Sequence, residues 1–163
     1  MQKTQSLRRA LSAALPELKR DPDRLKVWIE NGAGQSRETA TLSFGFRYRL
    51  NVLCVDMSTD IAVLALALFR WLRVNQVDLL APGTDGFAFD VDVLDNGLSD
   101  ILFQLDLTEN VSVGPREDGG YDLAYLAEPD PMFADELPPA GLPETPLLAE
   151  VRTDARPAPL PDD

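Results

Sequence analysis

The feature that most limits what this chain can become is a strict two-residue alternation between Leu42 and Cys54. Leu42, Phe44, Phe46, Tyr48, Leu50, Val52 and Cys54 fall on one side, and Ser43, Arg47, Arg49 and Asn51 on the other. A β-strand has this period of two. A strand apolar on one side only must set that side against a core and leave the other solvated or at an interface. The chain therefore has to build a mostly antiparallel sheet with one covered face.

Shorter alternations supply the neighbouring strands. Leu25, Val27 and Ile29 alternate with Lys26, Trp28 and Glu30, and Asn31-Gly32, a pair that tolerates positive φ, predicts a turn back. Phe87, Phe89, Val91 and Val93 alternate with Ala88, Asp90, Asp92 and Leu94. Asn96-Gly97 predicts a hairpin, and Ile101, Phe103, Leu105 and Leu107 return along it. A last strand is expected at Tyr121–Leu126, after Asp118-Gly119-Gly120.

Two helices complete the pattern. Leu7, Ala10, Leu11, Ala14, Leu15 and Leu18 share a helical face; Pro16 predicts that the first helix stops near Ala13 and that a short second turn ends before Pro22. Ser58 or Thr59 is the expected cap of a second helix, with Asp60 in its first turn. Ile61 to Leu72 is apolar apart from Arg70, so the sheet must cover one side and either helix 1 or another subunit a second. The order α-β-β-α-β-β-β predicts an α+β fold, a mostly antiparallel sheet with two helices packed on one face.

Charge narrows the function. The 163 residues carry a net charge of −12 and no histidine, which excludes histidine triads, histidine metal sites and histidine pH switches. So acidic a chain is poorly suited to binding nucleic acid by itself. Residues 1–26 sum to +4, residues 27–126 to −9 and residues 127–163 to −7. The last segment holds nine of the thirteen prolines and no sustained period, which predicts a single domain over residues 1–126 followed by a flexible, proline-rich acidic tail over residues 127–163. The longest apolar run, Ile61–Phe69, is nine residues, well short of the roughly 20 that span a bilayer. The first fifteen residues have no apolar stretch of the signal-peptide kind, so synthesis and folding in a cytoplasm are expected.

No reaction chemistry stands out. Cys54 is the only cysteine and sits on the apolar side of its strand, where an inert thiol is expected. Asp90, Asp92, Asp95 and Asp100 crowd one hairpin and could hold a hard cation, but the spacing of a calcium loop is missing and a solvated face fits better. Gly32-Ala33-Gly34 is too short for a dinucleotide loop, and no serine lies in a nucleophile elbow. Neither an enzyme nor a cofactor is expected. What remains is surface. Arg70, Trp71, Arg73 and Asn75 at the end of the apolar helix, and Arg47 and Arg49 on the polar side of the long strand, are the candidate subunit or partner interface. Against this stand a tryptophan packed on the sheet with its N–H satisfied, and arginines that are simply solvated.

Several blocks, in order and spacing, resemble one family. They are Ser6-Leu7-Arg8, Leu15-Pro16-Glu17-Leu18, Asp21-Pro22-Asp23-Arg24-Leu25, Trp71-Leu72-Arg73-Val74-Asn75-Gln76, Leu94-Asp95-Asn96 and Leu105-Asp106-Leu107-Thr108-Glu109. Through residues 6–126 the chain looks like the tail completion protein R family of P2-like contractile-tailed phages. The resemblance implies a structural protein of the virion tail, of phage or prophage origin, assembled in the host cytoplasm and needed to finish the tail before it joins the head. By further analogy it implies a tail terminator, a hexameric ring of copies capping the head-proximal end of the tail tube. Its partners would be itself, the tube protein and other tail completion or head-connector proteins, with DNA passing through the lumen unread. The alternative is an acidic, monomeric adaptor or assembly chaperone not retained in the virion. The family carries no catalytic motif to transfer, and the acidic tail lies beyond the likeness.

Overall fold

The computed structural model describes residues 1–36 and 41–128. Helix α1 (Gln2–Ala14) ends where Leu15 turns extended at φ −113°, and Pro16 at once opens the short helix α2 (Pro16–Arg20). The proline thus divides the helix as its missing N–H requires. A turn of 3₁₀ helix (Pro22–Arg24) leads into β1 (Leu25–Ser36). Next come β2 (Phe44–Met57), α3 (Ile61–Asn75) and a second 3₁₀ turn (Val77–Leu80). Strands β3 (Ala88–Val93), β4 (Ser99–Pro115) and β5 (Tyr121–Tyr125) close the order.

Among the described residues these strands form one antiparallel sheet in the order β1-β2-β4-β3, with β5 also paired to β4. Val111 pairs with Phe44 on one side and Tyr125 on the other, while Ile101 pairs with Cys54 and Val91. Strands β3 and β5 therefore flank the same edge of β4, at its two ends. The fold is α+β, with α1 and α3 on one face.

The period-two pattern sets which face that is. Leu50, Val52, Cys54, Ile101, Phe103, Leu105 and Leu107 lie under the helices and are buried, together with Leu7, Leu11 and Leu15 of the N-terminal layer and Leu64, Leu68 and Leu72 of α3. Burying that many aliphatic side chains, each contributing about 1.5–3 kcal/mol, is what holds helices to sheet. Helix α1 packs beside α3, yet Leu66 and Phe69 of α3 stay exposed, so α1 covers only part of that apolar helix.

Two local expectations need correction. Asn31-Gly32 does not reverse the chain: β1 continues to Ser36, and Asn31 uses its positive φ of 52° where the β1–β2 register shifts between Glu30 and Ala33. The pair makes a bulge inside a strand rather than the turn after one. The cap of α3 is Asp60, whose Oδ1 accepts from the Ala62 N–H at 2.7 Å. Ser58 and Thr59 instead donate their hydroxyls to Glu17 of α2. The other turns fall where glycine predicts them, at Gly97 (φ 77°) between β3 and β4 and Gly119 (φ 87°) between β4 and β5. The tail beyond residue 128 and the segment 37–40 lie outside the described residues.

Candidate assembly surfaces

The covered face of β4 carries a charge at a position the alternation reserves for apolar residues. After Ile101, Phe103, Leu105 and Leu107 the next inward residue is Glu109, which is only 3 % exposed. A buried carboxylate is tolerable when donors surround it. Here the Lys3 backbone N–H donates to Oε1 at 2.7 Å, the Gln2 N–H to Oε2 at 3.2 Å, and the Tyr48 hydroxyl to Oε1 at 2.8 Å. The first two are helix-end amides with no partner inside α1, so Glu109 caps that helix from the far end of the chain. Burial, reinforced by the Glu109 charge, holds the Tyr48 phenol well above its usual pKa, so it stays a donor.

Gln76 extends the same cluster. Its Oε1 accepts from Lys3 Nζ at 2.8 Å and from the Thr108 backbone N–H at 3.0 Å, and its Nε2 donates to Thr108 Oγ1 and Asp78. Thr108 lies on the stretch of the β4 edge between β3 and β5, so one side chain stands in for a strand neighbour. Lys3 Nζ also forms an ion pair with Glu128. A cleft of about 520 Å³ opens beside this cluster, between the start of α1 and the end of α3.

The six candidate residues do not converge. Trp71 is 5 % exposed and its Nε1–H donates to Ser6 Oγ at 3.1 Å, which is the packed arrangement. Asn75 donates to the Trp71 carbonyl at 2.9 Å, closing the last turn of α3. Arg70 is half-buried and Arg73 exposed on that helix. Arg47 and Arg49 lie on the opposite face of the sheet. Arg49 is taken up within its own subunit: Nε and Nη2 each donate to Asp106 at 2.9 Å, a bidentate pair that holds the Asp106 carboxyl below its usual pKa. Arg47 is exposed, between Ala33 and Thr108 in the cross-strand row.

Among the described residues no group of three or more ligating side chains comes together, at the β3 hairpin or elsewhere. Asp90 and Asp92 point outward from a strand exposed along its whole length. Cys54 is fully buried, and burial pushes its thiol up to about 12. No helix among the described residues is long and apolar enough to cross a membrane.

Much of this geometry is built by the sequence blocks that carry the family resemblance. Ser6 meets Trp71; Glu17 accepts from Ser58 and Thr59 and faces Arg24 at 3.6 Å; Asp106 holds Arg49; Gln76, Thr108 and Glu109 hold Lys3. The sequence profile of the P2 phage tail completion protein R (GpR) family matches residues 1–129. The chain belongs to that family. It is 38 % identical over 134 residues to the tail completion protein R of Escherichia phage P2, covering 80 % of this chain and 86 % of that protein. No solved structure matches. The protein is a tail-associated assembly factor that acts in completing a phage tail, and so works with other tail or head components. The contacts that sequence reasoning missed are Lys3, Gln76 and Glu109; an acidic residue at an inward position of an alternating strand was the available signal for the last.

Proposed function

We propose that this protein finishes the tail as a ring of copies, hexameric, seated on the head-proximal end of the tail tube and kept in the virion as the surface a head connector meets. It works by fit, not by bond-breaking. The observation that carries the reading is an uncovered apolar strand at the edge of the sheet. Phe89, Val91 and Val93 of β3 are 55 %, 42 % and 74 % exposed although they lie on the helix-covered side of the sheet. Contiguous exposed apolar side chains at a sheet edge are what protein partners cover.

A ring needs two unlike surfaces on each subunit, because head-to-tail contacts repeat around a closed circle. Residues 1–126 would supply them, and the acidic residues 127–163 would add negative charge at the tail end. The total of −12 suits a lumen through which DNA passes without sticking. Electron microscopy of the full chain mixed with tail tubes lacking it tests the reading. Rings on one end of the tubes are expected, with the polypeptide present in purified particles. Tubes left bare and a chain absent from particles would instead indicate a transient adaptor.

A further inference from the structure

Strand β3 has no second neighbour among the described residues, and neither has β1 at the opposite edge. Counting across the sheet, Lys26 pairs with Leu53, Leu53 with Leu102, and Leu102 with Asp90. The next rows run from Val27 through Val52 and Phe103 to Phe89, and from Leu25 through Cys54 and Ile101 to Val91. These three rows end in matched pairs, a cation and an anion on the open face and apolar with apolar on the covered face, while the next open-face row runs from Trp28 to Ala88. The strands alternate in direction, so a β3 laid beside the β1 of an identically oriented copy is antiparallel to it, the pairing the sheet already uses.

Charge favours the same juxtaposition. Lys26 is exposed at the start of β1 and Lys19 and Arg20 on α2 just before it; with Arg24 they outnumber Asp21, Asp23 and Glu30 over residues 19–30, and Asp21 already accepts from Arg24. Asp90, Asp92 and Asp95 are exposed at the β3 hairpin. Two edges of opposite charge attract each other and repel their own kind, which selects head-to-tail over face-to-face association.

We propose that the β3 edge of one copy docks on the β1 edge of a second copy of this chain, with Asp90 opposite Lys26, Phe89 opposite Val27 and Val91 opposite Leu25. This rests on the ring reading and names its interface. The covered apolar side chains of β3 then continue the neighbour's core, and each strand edge gains a partner.

Sedimentation velocity on full-length chains, with and without tubes lacking the protein, tests it. One variant reverses the acidic edge (Asp90→Lys with Asp92→Lys) and another the basic edge (Lys19→Glu with Lys26→Glu). All four positions are exposed, so both variants should keep the wild-type circular dichroism. Each alone is expected to lose association by on the order of tenfold or more. Mixed one to one they should assemble again, because each reversed edge then meets its complement. If the lysine variant does not fold, Asp90→Asn with Asp92→Asn gives the same direction with a smaller loss. Variants that assemble like wild type, a mixture that fails to recover, or variants that form rings but lose the tube would each overturn the edge pairing while leaving the ring intact. A wild-type chain that stays monomeric even with tubes would overturn both.

Discussion

The two halves of β4 face different tasks. Near Leu105–Glu109 the strand is closed in on its covered face by α1, Gln76 and Tyr48, and the Glu109 charge there is buried and met by three donors. Near Ser99–Gln104 it is bordered by β3, whose aspartates are exposed and whose apolar side chains are uncovered. A buried charge is tolerated only if the surrounding structure supplies partners, whereas an exposed one costs the free subunit almost nothing. One region therefore bears on whether the subunit folds; in the proposed ring the other decides what it meets.

Substitutions should separate the two regions. Trp71→Ala removes a buried ring and its bond to Ser6, and is expected to cost about 3–5 kcal/mol, lowering the melting temperature by on the order of 10 °C. Should this variant melt like wild type yet fail to complete tails, the tryptophan belongs with the outward-facing region. Glu109→Gln weakens the cap of α1 and the Tyr48 contact; a loss of about 2 kcal/mol by urea denaturation is expected. The difference should narrow in a Glu109→Gln, Tyr48→Phe double variant, since both changes remove one shared bond.

Acid sharpens the contrast further. Burial raises the Glu17 pKa, but hydrogen bonds from Ser58 and Thr59 and the charge of Arg24 outweigh it, so its carboxyl sits below its usual value. Asp106 is lowered too, by its hydrogen bonds from Arg49. Groups with depressed folded pKa values bind protons more weakly than in the unfolded chain. Their stabilisation is thus complete above the ordinary carboxylate range and is lost as the pH falls through about 4 and below. Wild type should lose stability in that window more steeply than Glu17→Gln, measured by melting temperature against pH. The smallest effect belongs to the outer edge: Asp90→Asn with Asp92→Asn should change unfolding by less than about 0.5 kcal/mol.

Most of the framework was legible because it depends on periodicity and punctuation. The runs from Phe44 to Cys54 and from Ile101 to Leu107 sit as strands with one covered face, although Leu42, expected on that face, lies outside β2 and is exposed, and Pro16 divides its helix wherever the rest of the chain goes. Asn31-Gly32 was misread because the pair reports a positive φ, which serves a bulge as well as a hairpin. Ser58 and Thr59 were misread as caps because Glu17, forty residues away, takes their hydroxyls. The contacts of Lys3 with Gln76, and of Glu109 with the start of α1, join residues 73 and more than 100 positions apart. No local pattern encodes such pairs; they exist only once the topology has brought the segments together. The tryptophan and arginines that composition singled out were scattered over both faces of the sheet for the same reason.

Amide hydrogen exchange on the full chain, free and seated on tail tubes, compares the two regions in one experiment. The account predicts that, in residues 88–93 and the first residues of β1, the amides that point away from β4 and β2 exchange freely in the isolated subunit and become protected on the tube, while those of residues 105–109 are slow in both states. Unchanged exchange at residues 88–93 on assembly, with new protection confined to the α1–Glu109 region, would contradict it.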